Sequence, residues 1–318
     1  MIKAAIVDCD RPRAAELVRV LINHPDVELI SAAGSCGAGK RLDQIVPGII
    51  GECDLVVSRS VDPGAADVLF LCGNRSDTSA FLSSTVLGED VKVIDLSGSH
   101  NLDHGEALPW TYGMSEMQRR VLVHDARLVT VPGNAAIASL LAMMPMARNL
   151  LLNSKITLQV AMGDLAFPDE GKTLDGMTAI QWTQEQQCEV VKVLEQCQPS
   201  FDQPVEMSIS RLAERRTLAV AARFKCGLDV EKVKQLYEQY YDDHNFVFMT
   251  DRPIVSADVE NTNKCLLTLM KDEHTGDLTV HAVMDLLLRG SAGTAVHMMN
   301  LLFGLHERAG LALKGSGC

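Results

Sequence analysis

Apolar positions along this chain fall into two textures. In the first half, short and nearly unbroken apolar runs alternate with stretches of helical period. Residues 2–8 form a run ending in Asp8, followed by helical spacing over 13–23 and a second run at 27–32. Runs at 67–72 and 91–96 bracket a helical segment at 76–87, and a run at 126–131 leads into an apolar helical stretch at 135–146. Strands of this kind alternating with helices predict a parallel sheet covered on both faces. The first domain is therefore expected to be α/β, a doubly wound, Rossmann-like unit whose ligand crevice lies at the strand carboxyl ends.

The texture changes after about residue 154. Segments 156–162, 205–212, 217–224 and 278–287 read as longer strands, several with period-2 alternation, and helices at 183–196 and 230–242 intervene. This predicts an α+β domain with a mixed, mostly antiparallel sheet. The expected boundaries are a first domain over 1–152 and a second over 153–290. The C-terminal segment 291–318, with a helix at 293–305, is expected to fold back and complete the first domain.

A length of 318 residues is enough for two domains with their own cores. The net charge of −12 argues against a nucleic-acid or anionic-membrane surface. No uncharged apolar run reaches the roughly 18 residues of a membrane span, and the chain opens directly into a strand without signal-peptide character. A cytoplasmic setting is the expectation. Nine scattered cysteines without a CxxC pair fit reduced thiols better than disulfides or zinc.

Val131-Pro132-Gly133-Asn134-Ala135-Ala136 turns a strand sharply into a helix, a place where a reactive side chain often sits on a helix N-terminus. Its occupant here is Asn134, whose neutral carboxamide is no nucleophile. The turn after the first strand, Asp8 to Ala14, has no glycine, and its two carboxylates oppose a pyrophosphate that Arg11 and Arg13 only partly offset. Gly34 to Lys40 half-matches a phosphate loop, but Arg41 replaces the required Ser/Thr, which leaves it plausible as a loop meeting an adenosine ribose. His100 and His104 have metal-ligand spacing without a third ligand and read as a polar surface loop; no metal is expected. His281 and His297 read as core or interface histidines. The small residues of Arg289-Gly290-Ser291-Ala292-Gly293 suit either close approach to a ligand or tight packing.

Several segments together resemble N-acetyl-gamma-glutamyl-phosphate reductase, of the same broader superfamily as aspartate-semialdehyde dehydrogenase. They are Glu16-Leu17-Val18-Arg19 with Asn23-His24-Pro25, Ala38-Gly39-Lys40 and Val93 to Gly98, then Tyr112 to Glu116. Further on come Ala126 to Val129 with Pro132-Gly133, Arg289 to Gly293, and Met299 to Leu305. They run in order through almost the whole chain.

The resemblance implies reduction of an acyl phosphate with NADPH, through a cysteine thioester and a histidine acid/base. It puts that cysteine at Asn134 and that histidine at Trp182. The Gly-rich loop falls on Asp8, Arg11 and Ala14, and the Ser-Arg-Ser contact to the NADP 2′-phosphate on Gly34-Ser35-Cys36, with Lys40 as the nearby cation. Arg11, Ser35, Lys40, Gly290 and Gly293 are thus the candidate cofactor contacts.

The expected function is a divergent, non-catalytic homologue of that reductase from arginine biosynthesis. It would act as a partner, regulator or binding protein for a small acylated amino acid. It would form a homo-oligomer (dimer or tetramer) or pair with an active homologue. The alternative is an NADP-dependent reductase, or a related acyl-phosphate or semialdehyde oxidoreductase, with displaced catalytic groups. A third reading is a pure binding module for an acylated amino acid or a nucleotide.

Overall fold

The computed structural model describes residues 1–102, 109–167, 173 and 177–315. Two compact units account for the chain: Met1–Pro132 with Ser291–Ala312, and Gly133–Gly290 with the residues from Leu313 onward.

In the first unit, β1 (Ile2–Val7), α1 (Pro12–Leu21), β2 (Val27–Ala33), β3 (Val68–Leu71), α2 (Arg75–Ser84) and β4 (Lys92–Asp95) follow the expected alternation. β5 (Thr111–Tyr112), α3 (Ser115–His124) and β6 (Leu128–Thr130) complete it. The six strands run in the order β2-β1-β3-β4-β6-β5, and every neighbouring pair is parallel. The order reverses direction at β1, so a crevice forms beyond the carboxyl ends of β1, β2 and β3. Strands buried on both sides need continuous apolar sequence, and β3 is buried at all four positions.

In the second unit, α4 (Asn134–Arg148) is followed by β7 (Ile156–Met162), α5 (Ala179–Cys197), β8 (Val205–Arg211), β9 (Thr217–Lys225) and α6 (Val230–Tyr241). Next come β10 (Val247–Met249), β11 (Cys265–Asp272) and β12 (Asp277–Asp285). The sheet order is β10-β11-β12-β9-β7-β8. Its three central pairings are antiparallel and its two edge pairings parallel, as a mixed sheet requires. The last helix, α7 (Gly293–Leu302), belongs to the first unit and packs on α1, α3 and β4.

The division falls at Pro132/Gly133, twenty residues before the expected boundary at 152. The reason is α4. Its uniformly apolar surface packs on β9, β12 and α5, so it belongs to the second sheet although it follows a strand of the first. From 313 onward the chain likewise clusters with the second unit.

α4 carries Pro145, which has no N–H to give the carbonyl of Leu141 one turn earlier. The hydroxyl of Tyr241 on α6 donates to that carbonyl at 2.6 Å, and the hydroxyl of Tyr237 donates to Ala142. Two buried tyrosines on one face of α6 thus complete the backbone bonding of α4.

Helices α4, α5 and α6 cover one face of the second sheet. The other face carries exposed or partly exposed residues in register: Gln159 beside Ala221, Ala221 beside His281, and His281 beside Thr268. Small residues dominate there, with Ala161, Ala219 and Val283 in the adjoining row.

Candidate functional site

The residues at the start of α4, from Gly133 onward, belong to the second unit. Gly133 precedes the helix, and Asn134 is its first residue, half-buried. A helix start exposes N–H groups that its own backbone cannot satisfy, and such groups can stabilise a developing oxyanion. Here three N–H groups are already engaged. The Glu189 carboxylate accepts from Gly133 N–H at 3.0 Å, and the Gln186 carboxamide oxygen accepts from Ala136 N–H at 3.1 Å. Asn134 folds its own Oδ1 onto Ala135 N–H at 2.7 Å.

Both acceptors from outside α4 project from α5. That helix starts at a Thr178 cap, whose hydroxyl accepts from Gln181 N–H at 3.3 Å. Its buried stripe runs Trp182, Gln186, Glu189, Val190, Val193, Leu194 and Cys197, one residue per turn or nearly so. Trp182 is only 2% exposed and fills the core. An indole has no titratable acid/base group near neutral pH. Gln186 stands one turn further along the same face. Its carboxamide occupies the volume that a Cβ on Gly133 would need, so glycine at 133 is required for this closure. Gly290 serves the same end, since a Cβ there would lie 3.1 Å from Cβ of Asn134. The fully buried Asp285 anchors this region by accepting from Leu287 and Leu288 N–H at 2.8 Å and from Arg216. Of the two roles open to the small residues 289–293, Gly290 takes tight packing; Gly293 is the buried first residue of α7.

The first unit has a crevice of its own. A cavity of about 380 Å³ lies beyond the ends of β1 and β2, lined by Val7, Asp8, Ser35, Arg59, Ser60 and Phe81 among others. Asp8 adopts φ +60°, a conformation in which glycine is the default, so the turn keeps a glycine-like path without the glycine. Burial, with Asp77 and Asp10 close by, raises its carboxyl above the usual range. Asp10 lies below that range, because the Cys36 amide and its own outweigh the effect of burial; the Cys36 N–H donates to it at 2.9 Å. Pro12 opens α1 and lacks one of the N–H groups a helix start would offer an anion.

The cofactor candidates separate here. Arg11 is drawn off to Asp77 at 2.9 Å, and Ser35 lines the cavity. Lys40 is exposed and is not among the cavity's lining residues. Its loop ends in a bridge from Arg41 to Val56 rather than in a long helix, which removes the phosphate-loop reading. What sequence reasoning missed is Ser58-Arg59-Ser60. Ser58 bridges Ala33 in parallel at the end of β2, and this places Arg59 and Ser60 on the cavity wall. Among the described residues Arg59 forms no hydrogen bond or ion pair. The signal was the Ser-Arg-Ser triplet itself, displaced some two dozen residues from its expected place.

Two histidine readings are settled here. His100 is not on a polar surface loop: it is buried, its Nδ1 lies 2.8 Å from the fully buried Asp95, and it stacks on Trp110 at 4.0 Å. His104 lies outside the described residues. His297 is a buried histidine paired with Glu307 at 2.7 Å. Among the described residues no group of three His, Cys, Asp or Glu side chains could hold a metal, and no helix is long and apolar enough to cross a membrane.

Comparison with known proteins places this architecture in a class. Residues 12–124 match the semialdehyde dehydrogenase NAD-binding domain, and residues 177–285 the semialdehyde dehydrogenase dimerisation domain. N-acetyl-gamma-glutamyl-phosphate reductase from Parabacteroides distasonis is 34% identical, with 99% of each chain covered. The same enzyme from Phocaeicola vulgatus is 35% identical over the same share. The chain belongs to the N-acetyl-gamma-glutamyl-phosphate reductase family. Among solved structures, aspartate semialdehyde dehydrogenase II from Vibrio cholerae superposes with a TM-score of 0.72 at 15% identity, covering 96% of this chain and 98% of that one. Aspartate semialdehyde dehydrogenase with NADP from Candida albicans gives 0.70 at 12% identity, covering 95% and 98%.

Proposed function

We propose that this chain keeps the two-unit architecture of the reductase family and does not carry out its thioester chemistry. It acts as a binding or partner protein. The observation that carries this reading is the closed elbow. Asn134 stands where the resemblance puts the nucleophile, and the N–H groups of Gly133, Ala135 and Ala136 are already bonded to carboxylate and carboxamide oxygens. An oxyanion at this turn would have to displace Gln186, Glu189 or Asn134 before finding a donor. Trp182, at the position of the family's acid/base, supplies no proton shuttle.

The second reading, a reductase with displaced groups, needs another thiolate. Cys72, at the end of β3, has no solvent exposure, and burial pushes its thiol far above neutral. Cys9 is pushed up to about 12 for the same reason. The dimerisation-domain match and the helix-free sheet face support a homo-oligomer formed through Ala219, Ala221 and Val283. NADPH oxidation in the presence of N-acetyl-gamma-glutamyl phosphate, the substrate implied by the relatives' name, tests the central claim.

A further inference from the structure

The carboxyl end of β4 carries a buried acid–histidine pair. β4 closes on Asp95, whose side chain is fully buried. The turn that follows is fixed from within: the Ser99 N–H donates to Ser97 Oγ at 3.1 Å, and Gly98 takes φ +74°, where glycine is the default. That turn brings His100 back to Asp95. One Asp95 oxygen accepts from the Ser97 N–H at 2.7 Å, and the other lies 2.8 Å from His100 Nδ1. An ionised carboxylate only accepts, so Nδ1 carries the proton and Nε2 keeps its lone pair. Trp110 stacks on the ring at 4.0 Å with 14° between the planes, which fixes the imidazole from a second side. Buried polar atoms ordinarily have a partner. Among the described residues Nε2 has none. A ring needed only to pack on Trp110 would be served by phenylalanine. Open α/β sheets gather their ligands beyond the carboxyl ends of the strands, which is where this pair stands.

We propose that Asp95 and His100 hydrolyse small acyl compounds that carry a good leaving group, with His100 as general base and Asp95 as the residue that positions it. Nε2 takes a proton from water, and the water oxygen bonds to the acyl carbon. The bond from that carbon to the leaving oxygen breaks with its electron pair, and the imidazolium returns the proton to that oxygen. Ester and water thus become acid and alcohol, with no oxidant or reductant. A neutral imidazole supplies no strong electrophile, so the leaving group must be a good one, and a ring this deeply buried admits only a small acyl group. The proposal goes beyond the reading of the elbow and uses neither Asn134 nor a cofactor.

Release of nitrophenolate from p-nitrophenyl acetate by the full-length protein tests it. A steady rate above the enzyme-free control is expected, continuing past one equivalent per chain because water takes the acyl group. His100→Phe keeps a flat ring against Trp110 and should lower the rate about a hundredfold, the low end of what a positioned acid/base contributes. Acidification should slow the wild type as Nε2 takes up a proton, and leave His100→Phe with the pH response of the control. His100→Ala should regain rate when free imidazole is added, at an unchanged thermal midpoint. Asp95→Asn should slow the reaction too, since it removes the acceptor that holds the proton on Nδ1. No rate above the control, or a His100→Phe rate equal to that of the wild type, would overturn the proposal. Oxidation of NADPH would instead refute the non-catalytic reading of the elbow and leave the ester rates readable.

Discussion

The carboxamide of Gln186 fills the space that a side chain on Gly133 would occupy, and its oxygen takes the Ala136 N–H at the start of α4. Closure of the elbow therefore depends on the absence of one methyl group. Gly133→Ala should expel Gln186 and destabilise the protein by about 1–3 kcal/mol, the usual range for overpacking. Urea denaturation of the single and double variants checks this. In a Gln186→Ala background the cost should shrink markedly; an unchanged cost would mean that the two residues are not coupled.

Tyr241 is expected to matter beyond its packing. Tyr241→Phe keeps the ring and leaves the Leu141 carbonyl, already deprived of its partner by Pro145, buried and unbonded. The expected loss is about 1–3 kcal/mol, that of an unsatisfied buried polar group. A denaturation midpoint equal to wild type would show that this carbonyl finds another donor.

The Asp8 carboxyl is raised in the folded protein by burial and by Asp77 and Asp10. A folded state that holds its proton more tightly than the unfolded chain is favoured at low pH, and the advantage is lost as pH rises through the folded value. At neutral pH the ionised Asp8 therefore destabilises the fold. Asn also tolerates positive φ, so Asp8→Asn should raise the melting temperature at pH 7. The gain should fade as pH falls toward the ordinary carboxylate value of 3.8. A gain independent of pH would assign the effect to backbone strain instead.

The helix-free face of the second sheet is expected to pair copies of this chain. Ala221→Glu sets an unpaired charge among Gln159, His281 and the adjoining small residues. Sedimentation velocity should show self-association at least about a hundredfold weaker, because an unpaired charge is costly to bury. An unaltered sedimentation coefficient would place the interface elsewhere.

Much of the fold was legible because burial on two faces leaves unbroken apolar runs, and β1, β3, β4 and β7 fall within a residue or so of the expected segments. β11 was missed because its pattern is irregular, with Leu269 partly exposed out of alternation and Met270 open to solvent. α3 was missed because it is weakly apolar and interrupted by the non-helical Gln118. At the site, Asn134 and Trp182 stood out through the family's pattern, whereas Gln186 and Glu189 did not. Their trace was two polar residues on an otherwise apolar helical stripe, and only the fold brings that stripe to Gly133. Arg59 was hidden for a similar reason, since its neighbour Ser58 reaches β2 through a single bridge.

Steady-state oxidation of NADPH by purified protein, with N-acetyl-gamma-glutamyl phosphate present, bears most directly on the claim that the elbow's chemistry has gone. The expected result is a rate indistinguishable from the enzyme-free control, with no acyl adduct on any cysteine by intact mass. Turnover that depends on the acyl phosphate, abolished by Cys72→Ala or by another single cysteine substitution, would contradict the account.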